Sequence, residues 1–305
     1  MNSINTGRVA IVTGAGAGIG RSHALALAAS GARVVVNDVA SAVDNTITTP
    51  AEAVVAQIRA TGGEAVVNRD DVSSDAGAQT LIESALAAFG DLHVLVNNAG
   101  ILRDRMLVSM SEADWDAVLA VHLKGSFGPS RHAARYFRDR AKSGADVDAR
   151  IVNTTSASGL FGNVGQSNYG AAKAGIAAFT IITAMELARY GVTVNAVAPR
   201  ALTAMTETLP RYQAMTAEPG GAERISPDHI SPLVVWLASA QSREVTGRVF
   251  GVAGTTISVY EGWHNGPTIT RAEGQWDPGE LADLLPGLVK EARANADMTG
   301  EAPAS

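Results

Sequence analysis

At 305 residues, 46% of them hydrophobic, the chain is long enough for one large core or two small ones, and length alone does not choose between them. A formal charge of −6 and the absence of any Lys/Arg run exclude the electrostatic footprint of a nucleic-acid binder. With no cysteine there is no disulfide framework, thiolate metal site or cysteine nucleophile, and the six histidines form no zinc signature, so no metal is expected.

The opening "MNSINTGRVAIVTG" lacks the charged start and continuous apolar stretch of a signal peptide. No apolar run reads as approaching the ~20 residues that span a bilayer, so a soluble, cytoplasmic protein with no membrane partner is expected.

From residue 8 to about 253, short β-branched runs alternate with alanine-rich segments of helical length. The runs are "RVAIVT", "RVVVND", "EAVVNRD", "LHVLVNNA", "RIVNTT", "VTVNAVAP" and "RVFGVAG". Their near-continuous apolar character suits parallel strands covered on both faces. Helical spacing occupies 18–30, 51–61, 75–89, 112–141, 166–190 and 227–240. The expected fold is therefore α/β, a doubly wound seven-stranded parallel sheet of Rossmann type.

One domain is read over 1–253, with an extension over 254–305. Within the domain, 200–226 has no strong period and contains Pro210, Pro219, Gly220 and Gly221, so it reads as a mobile substrate loop. The extension begins with a possible strand, "TISVY", and ends in a helix-like segment interrupted by Pro286. Its Trp263, Trp276 and leucines favour packing, on the domain or on a neighbouring subunit, over a disordered tail. The turn "YEGWHNGP" is either a satellite core or a cover for part of a substrate pocket.

Between the first strand and first helix lies "TGAGAGIG". Backbone N–H groups at a helix start point at anions, and glycines let a pyrophosphate approach them. The spacing G-x-G-x-x-G cannot be laid on these glycines in any register. T-G-x-x-x-G-x-G fits, using Thr13, Gly14, Gly18 and Gly20, with Ile19 between the last two and Gly16 as an extra small residue. Asp38 ends the second strand eighteen residues after Gly20, where a carboxylate can accept both hydroxyls of an adenosine ribose and repel a 2′-phosphate. NAD is favoured over NADP, with Arg21 as the one nearby cation that leaves NADP open.

With "TGAGAGIG", "DDV" at 70–72, "NNAG" at 97–100, Ser156 and "YGAAK" at 169–173 in order, the chain resembles the short-chain dehydrogenase/reductase family over residues 8 to about 253. Within it, "VVVND", "VHLKGSF" and "SASGLFGNVGQSNYGAAKAG" are similar to the branch formed by the dehydrogenase domain of peroxisomal multifunctional enzyme type 2, also called 17-beta-hydroxysteroid dehydrogenase type 4, and its bacterial single-domain relatives.

That resemblance implies an oxidoreductase using NAD, with Tyr169 as general acid/base and also a cofactor contact, and Ser156 binding the substrate oxygen. Lys173 would lower the Tyr169 pKa and hold the nicotinamide ribose. Tyr169 and Lys173, four residues apart, share one helix face. Bringing a phenol from ~10 to neutrality takes roughly 4 kcal/mol of differential stabilisation, for which a neighbouring cation is the natural source. The resemblance also places Asp71 and the Val72 backbone at the adenine, Asn98 and Gly100 beside the cofactor, and the Leu202 backbone at the nicotinamide carboxamide. Asn97 is assigned to tying strands together.

Two positions depart from the family pattern. His122 stands where an asparagine supports a proton path to the lysine, so it is either a relay or a buried histidine satisfied by backbone. Arg200 replaces a glycine, and Ala204 a threonine that contacts the carboxamide, for which Thr203 or Thr206 is the available substitute.

The segments flanking the substrate, "SASGLFGNVGQSN" and the loop with Leu202, Met205, Leu209 and Met215, are mostly apolar. An apolar secondary alcohol or ketone is expected, which the resemblance narrows to a 3-hydroxyacyl-CoA or a 17-beta-hydroxysteroid. The alternatives are an NADPH-dependent 3-oxoacyl carrier reductase and an NAD-binding sensor or scaffold without turnover. The family implies a homodimer or homotetramer packed through 112–141 and 166–190.

Overall fold

The structure, a computed structural model, describes residues 3–41, 48–203, 207, 213, 214, 216–218 and 220–301. Ala204, Met205, Thr206, Leu209, Pro210, Met215 and Pro219 of the expected substrate loop lie outside the described residues.

All seven expected strands form: β1 (Val9–Thr13), β2 (Arg33–Asn37), β3 (Ala65–Asn68), β4 (Val94–Asn97), β5 (Ala149–Thr154), β6 (Val192–Arg200) and β7 (Val249–Ala253). An eighth, β8 (Thr256–Tyr260), is the run "TISVY". The sheet order is β3-β2-β1-β4-β5-β6-β7-β8, parallel except for β8, which turns back antiparallel on β7 with Ala253 opposite Thr256. The domain therefore extends past the expected 253: the chain divides into units Met1–Tyr260 and Glu261–Ser305. The two-residue connection after β7 made "TISVY" part of the sheet, because so short a link holds the next strand against the last.

The helices are α1 (Gly18–Ala29), α2 (Pro50–Ala60), α3 (Asp75–Phe89), α4 (Glu112–Leu119), α5 (Gly125–Lys142), α6 (Ala157–Phe161), α7 (Ser167–Leu187), α8 (Gly221–Arg224), α9 (Ser231–Leu237) and α10 (Pro278–Glu291). Alternate strand residues serve opposite faces. Ala10 and Val12 pack with Leu27, Ile58 and Leu237 from α1, α2 and α9. Val9 and Ile11 pack with Leu81, Phe137 and Leu187 from α3, α5 and α7.

Two sequence expectations change. The segment 112–141 is interrupted by a π-helical turn, Ala120–Lys124, because hydrophobic period alone does not register one extra residue per turn. The stretch Ser167–Tyr190 is long and apolar enough, by length and composition, to cross a membrane, although no such run was expected. It carries Tyr169 and Lys173 and lays Ile176, Ala177 and Ala184 into the domain core, while Ile181, Ile182 and Met185 on the same helix are exposed.

The unit Glu261–Ser305 contains no buried residue among those described, so it has no core of its own. Its α10 starts with a capping box between Asp277 and Glu280, Arg271 pairs with Glu280, and the Arg271 guanidinium lies 5.5 Å from the Trp276 ring centroid.

In the sheet interior, Asn97 Nδ2 donates to Asn153 Oδ1 and Ser130 Oγ, both at 2.9 Å, and Asn153 Nδ2 donates to Thr180 Oγ1 at 2.9 Å. Asn97 thus ties strands and helices together, as expected. Asn153→Ala strands polar groups on β4 and α7; urea unfolding is expected to show a loss of about 1–3 kcal/mol.

Candidate active site

The strand order reverses between β1 and β4, and their carboxyl ends open the crevice where α/β sheets bind ligands. Thr13 Oγ1 accepts the N–H groups of Asn98 (2.9 Å) and Ala99 (3.0 Å), while Asn98 Nδ2 donates to the carbonyls of Thr13 (3.0 Å) and Gly14 (3.2 Å). Asn98 therefore holds the glycine loop in place, and its amide is spent on the loop backbone.

The loop's glycines have separate reasons. Gly14 and Gly18 have φ of +61° and +53°, and a Cβ on Gly20 would lie 2.1 Å from the Gly14 carbonyl oxygen. Ile19, in the first turn of α1, packs on the core. The next three helix starts are capped by Thr49, Ser74 and Ser111, whereas α1 begins after Ala17 with no side-chain cap and no acidic residue in its first turn. Its N–H groups thus remain for an anion, and the loop fits the pyrophosphate of a dinucleotide.

Asp38, just past β2, faces this loop. Its Oδ2 accepts Gly16 N–H at 2.8 Å and its Oδ1 accepts Ala40 N–H at 2.9 Å. Asp71 is exposed, its Oδ1 accepting Ser73 N–H at 2.9 Å, and Val72 is buried beside it. Across the crevice, Leu202 N–H donates to the Ile225 carbonyl at 2.7 Å. Thr203 methyl lies beside Gly18, 3.5 Å from where a Cβ would stand.

The catalytic candidates meet at the end of β5. Ser156 is the extended N-cap of α6 and its hydroxyl accepts Ser158 N–H at 3.2 Å. Of its neighbours, Thr155 is buried and donates to the Lys173 carbonyl at 2.6 Å, and Ser158 is buried within α6. On α7, Tyr169 is half-buried and Lys173 is buried, with the Lys173 ammonium nitrogen 5.6 Å from the Tyr169 ring centroid. Lys173 Nζ donates to the Thr154 carbonyl at 2.6 Å. Burial lowers the Lys173 pKa to about 7.

The π turn swings His122 inward beneath Tyr169, ring centroids 5.1 Å apart and edge to face. Gly100 makes room, since a Cβ there would lie 2.4 Å from His122 Cε1. Gly100 is thus the seat of His122. His122 Nε2 lies 3.0 Å from Ile101 N and 2.7 Å from Ile101 O, so one residue offers a partner to either tautomer. His122 Nδ1 is buried with no protein partner. Burial first, then the Lys173 charge, lower its pKa to about 3, so the ring is neutral across the physiological range.

The sequence reading missed the partners that hold these groups. The Thr154 and Ile101 backbone atoms carry no sequence signal. The extra Gly16 did carry one, since a glycine outside the loop pattern marks a close approach.

Residues 8–214 match the family model described as short chain dehydrogenase. The chain is 48% identical over 286 residues to the hydroxyacyl-CoA dehydrogenase ChsB1 of Mycobacterium tuberculosis, covering 92% of this chain and 88% of that protein. It is 42% identical to mouse peroxisomal multifunctional enzyme type 2 over 81% of this chain and 31% of that protein. To the 3-oxoacyl-[acyl-carrier-protein] reductase of Synechocystis it is 43% identical, over 83% of this chain and 98% of that protein. A crystal structure of a short chain dehydrogenase from Mycobacterium avium superposes with a TM-score of 0.88 at 51% identity, covering 96% and 98% of the two chains.

His122 and His23, the latter buried on α1 with Nδ1 2.9 Å from Ser231 Oγ, both have pKa values lowered to about 3. Once unfolded, each takes a proton near ~6.5. The stabilisation is complete above that value and is lost as pH falls toward 3, by up to about 1.4 kcal/mol per pH unit per histidine. Urea unfolding of the cofactor-free protein at pH 6.5 and 5 is expected to show this loss, with a shallower slope in His122→Asn.

Proposed function

The chain belongs to the short-chain dehydrogenase/reductase family, an oxidoreductase family that binds a nicotinamide dinucleotide, and from that premise we propose that it is an NAD-dependent 3-hydroxyacyl-CoA dehydrogenase. The observation that carries the catalytic reading is the Tyr169–Lys173 pair, with a buried amine 5.6 Å from the phenol ring centroid.

Tyr169 takes the hydroxyl proton of the secondary alcohol, and Ser156 orients that oxygen by hydrogen bonding. The dinucleotide supplies the acceptor for the hydride that leaves the same carbon. A charged Lys173 is costly in its buried setting, and an adjacent phenolate offsets that cost. Deprotonation of Tyr169 and protonation of Lys173 therefore favour each other. His122, neutral and satisfied at Nε2 in either tautomer, leaves Nδ1 as the atom through which a proton can pass toward this pair.

Preference for NAD rests on Asp38 at the ribose position. Preference for an acyl-CoA over a steroid rests on the Mycobacterium tuberculosis relative and on the segment 101–105, which runs from the partner of His122 to the start of α7. Here Asp104 turns to Gln166 (2.7 Å), while Arg103 and Arg105 are exposed and, among the described residues, have no acidic partner. Such guanidinium groups suit the phosphates of a CoA handle. The Synechocystis relative supports a second reading, reduction of 3-oxoacyl carriers with NADPH, against which the same carboxylate argues.

Tyr169→Phe is expected to lower kcat by about 10²–10⁴, followed at 340 nm with NAD and a 3-hydroxyacyl-CoA, while leaving the NADH dissociation constant unchanged. Arg103→Ala with Arg105→Ala should raise KM for the CoA thioester severalfold, in line with ~0.2–1 kcal/mol for each exposed charge contact. The N-acetylcysteamine thioester, which has no phosphate, should be unaffected.

Assembly as a homodimer or homotetramer is supported by the exposed apolar residues Phe127, Ile181, Ile182 and Met185 on α5 and α7. Ile182→Glu with Met185→Glu is expected to yield monomers in sedimentation velocity.

A further inference from the structure

Gly16 is not a member of the loop pattern, and its φ is outside the left-handed region, so its backbone conformation does not demand glycine. Space does. A Cβ at this position would stand 2.7 Å from Pro50 Cβ, 2.8 Å from Asp38 Oδ2 and 3.1 Å from Asp38 Cγ. Pro50 has little freedom to give way. It is the first residue of α2, locked by the Thr49–Glu52 capping box, and α2 is joined to α1 by Arg21 Nη2 donating to Gln57 Oε1 at 2.7 Å.

The absent side chain lets Asp38 come close enough for Gly16 N–H to bind Oδ2 at 2.8 Å, while Ala40 N–H holds Oδ1 at 2.9 Å. The neighbouring Ala15 N–H fastens the loop to the Asn37 carbonyl at 2.8 Å, so loop and strand end move as one piece. One donor on each oxygen fixes the carboxylate plane and leaves the remaining lone pairs to a ligand.

We infer that Gly16 is a specificity-determining residue: by seating the Asp38 carboxylate against the glycine loop it sets the preference for an unphosphorylated adenosine ribose over a 2′-phosphorylated one. The inference rests on the NAD reading of Asp38 and adds the residue that makes that reading strict. A freely rotating carboxylate turns away from a phosphate at little cost, whereas one clamped by two N–H groups has nowhere to go. The ribose hydroxyls meet acceptors already oriented, and the 2′-phosphate meets a fixed negative charge. Gly16 acts through Asp38 and does not touch the reacting atoms.

The test is a double-mutant cycle read by binding alone. Dissociation constants for NADH and for NADPH are measured by fluorescence titration, without substrate, in the wild type, Gly16→Ala, Asp38→Ala and the double variant, with thermal unfolding of each as the control for folding. Gly16→Ala is expected to weaken NADH and to lower the ratio Kd(NADPH)/Kd(NADH) by about tenfold, about 1.4 kcal/mol. In the Asp38→Ala background the same change should leave the ratio where Asp38→Ala alone puts it.

Equal weakening of both cofactors by Gly16→Ala, or additive effects in the double variant, would overturn the inference. A wild type that binds NADPH more tightly than NADH would instead sink the NAD reading, and non-additivity of the two substitutions would still decide the role of Gly16. Should Gly16→Ala not fold, the Gly16 amide proton decides in the folded protein. In the deuterated wild type its resonance is expected downfield, as the Gly16 N–H to Asp38 hydrogen bond requires, and to move upfield in Asp38→Ala. A Gly16 amide indifferent to Asp38 would overturn the inference.

Discussion

The site depends on how the chain satisfies its backbone where β1 and β4 part company. At that point two adjacent parallel strands send their successors to opposite faces of the sheet, and the ladder that paired them ends. Thr13 and Asn98 replace the lost ladder bonds with side-chain ones: a hydroxyl accepting two N–H groups, an amide donating to two carbonyls. The strand ends that open the crevice are therefore held by side-chain bonds, and the glycine loop and the strand ending in Asn97 are tied together beside it.

Everything that handles a dinucleotide hangs from that junction. The uncapped start of α1 and the glycines that bare it lie on one side. Asp38, bound to the same loop, lies on the other. The candidate catalytic groups lie by the next strand over, where β5 and α7 are joined by Thr155 and Lys173. The two bonds between these elements, Thr155 Oγ1 to the Lys173 carbonyl and Lys173 Nζ to the Thr154 carbonyl, are both 2.6 Å. They make the lysine a structural strut as well as a charge, which is why its burial is tolerated, while the burial itself lowers its pKa.

The π turn shows how a local irregularity serves the site. A regular helix through 112–141 would carry residue 122 on a different bearing; the extra residue in the turn aims the imidazole beneath the phenol, into space left by Gly100. Neither feature makes sense without the other. Gly100 and His122 are twenty-two positions apart in sequence and meet only because α4 and α5 fold back over the end of β4.

The sequence by itself determined the sheet, the doubly wound class and the residues that face the crevice, because strand and helix periods and the glycine-loop spacing are local properties of the chain. It marked Gly14, Gly18, Gly20 and Asp38 by type and interval, and Ser156, Tyr169 and Lys173 through the resemblance to the family. Tertiary structure alone decided what each of them touches. That Asn98 serves the loop backbone, that the Leu202 N–H is spent on Ile225, that His122 finds both tautomeric partners in Ile101 and that Gly16 is small for the sake of Asp38 all depend on contacts across the fold. Most are made with main-chain atoms, which every residue possesses and no sequence pattern distinguishes.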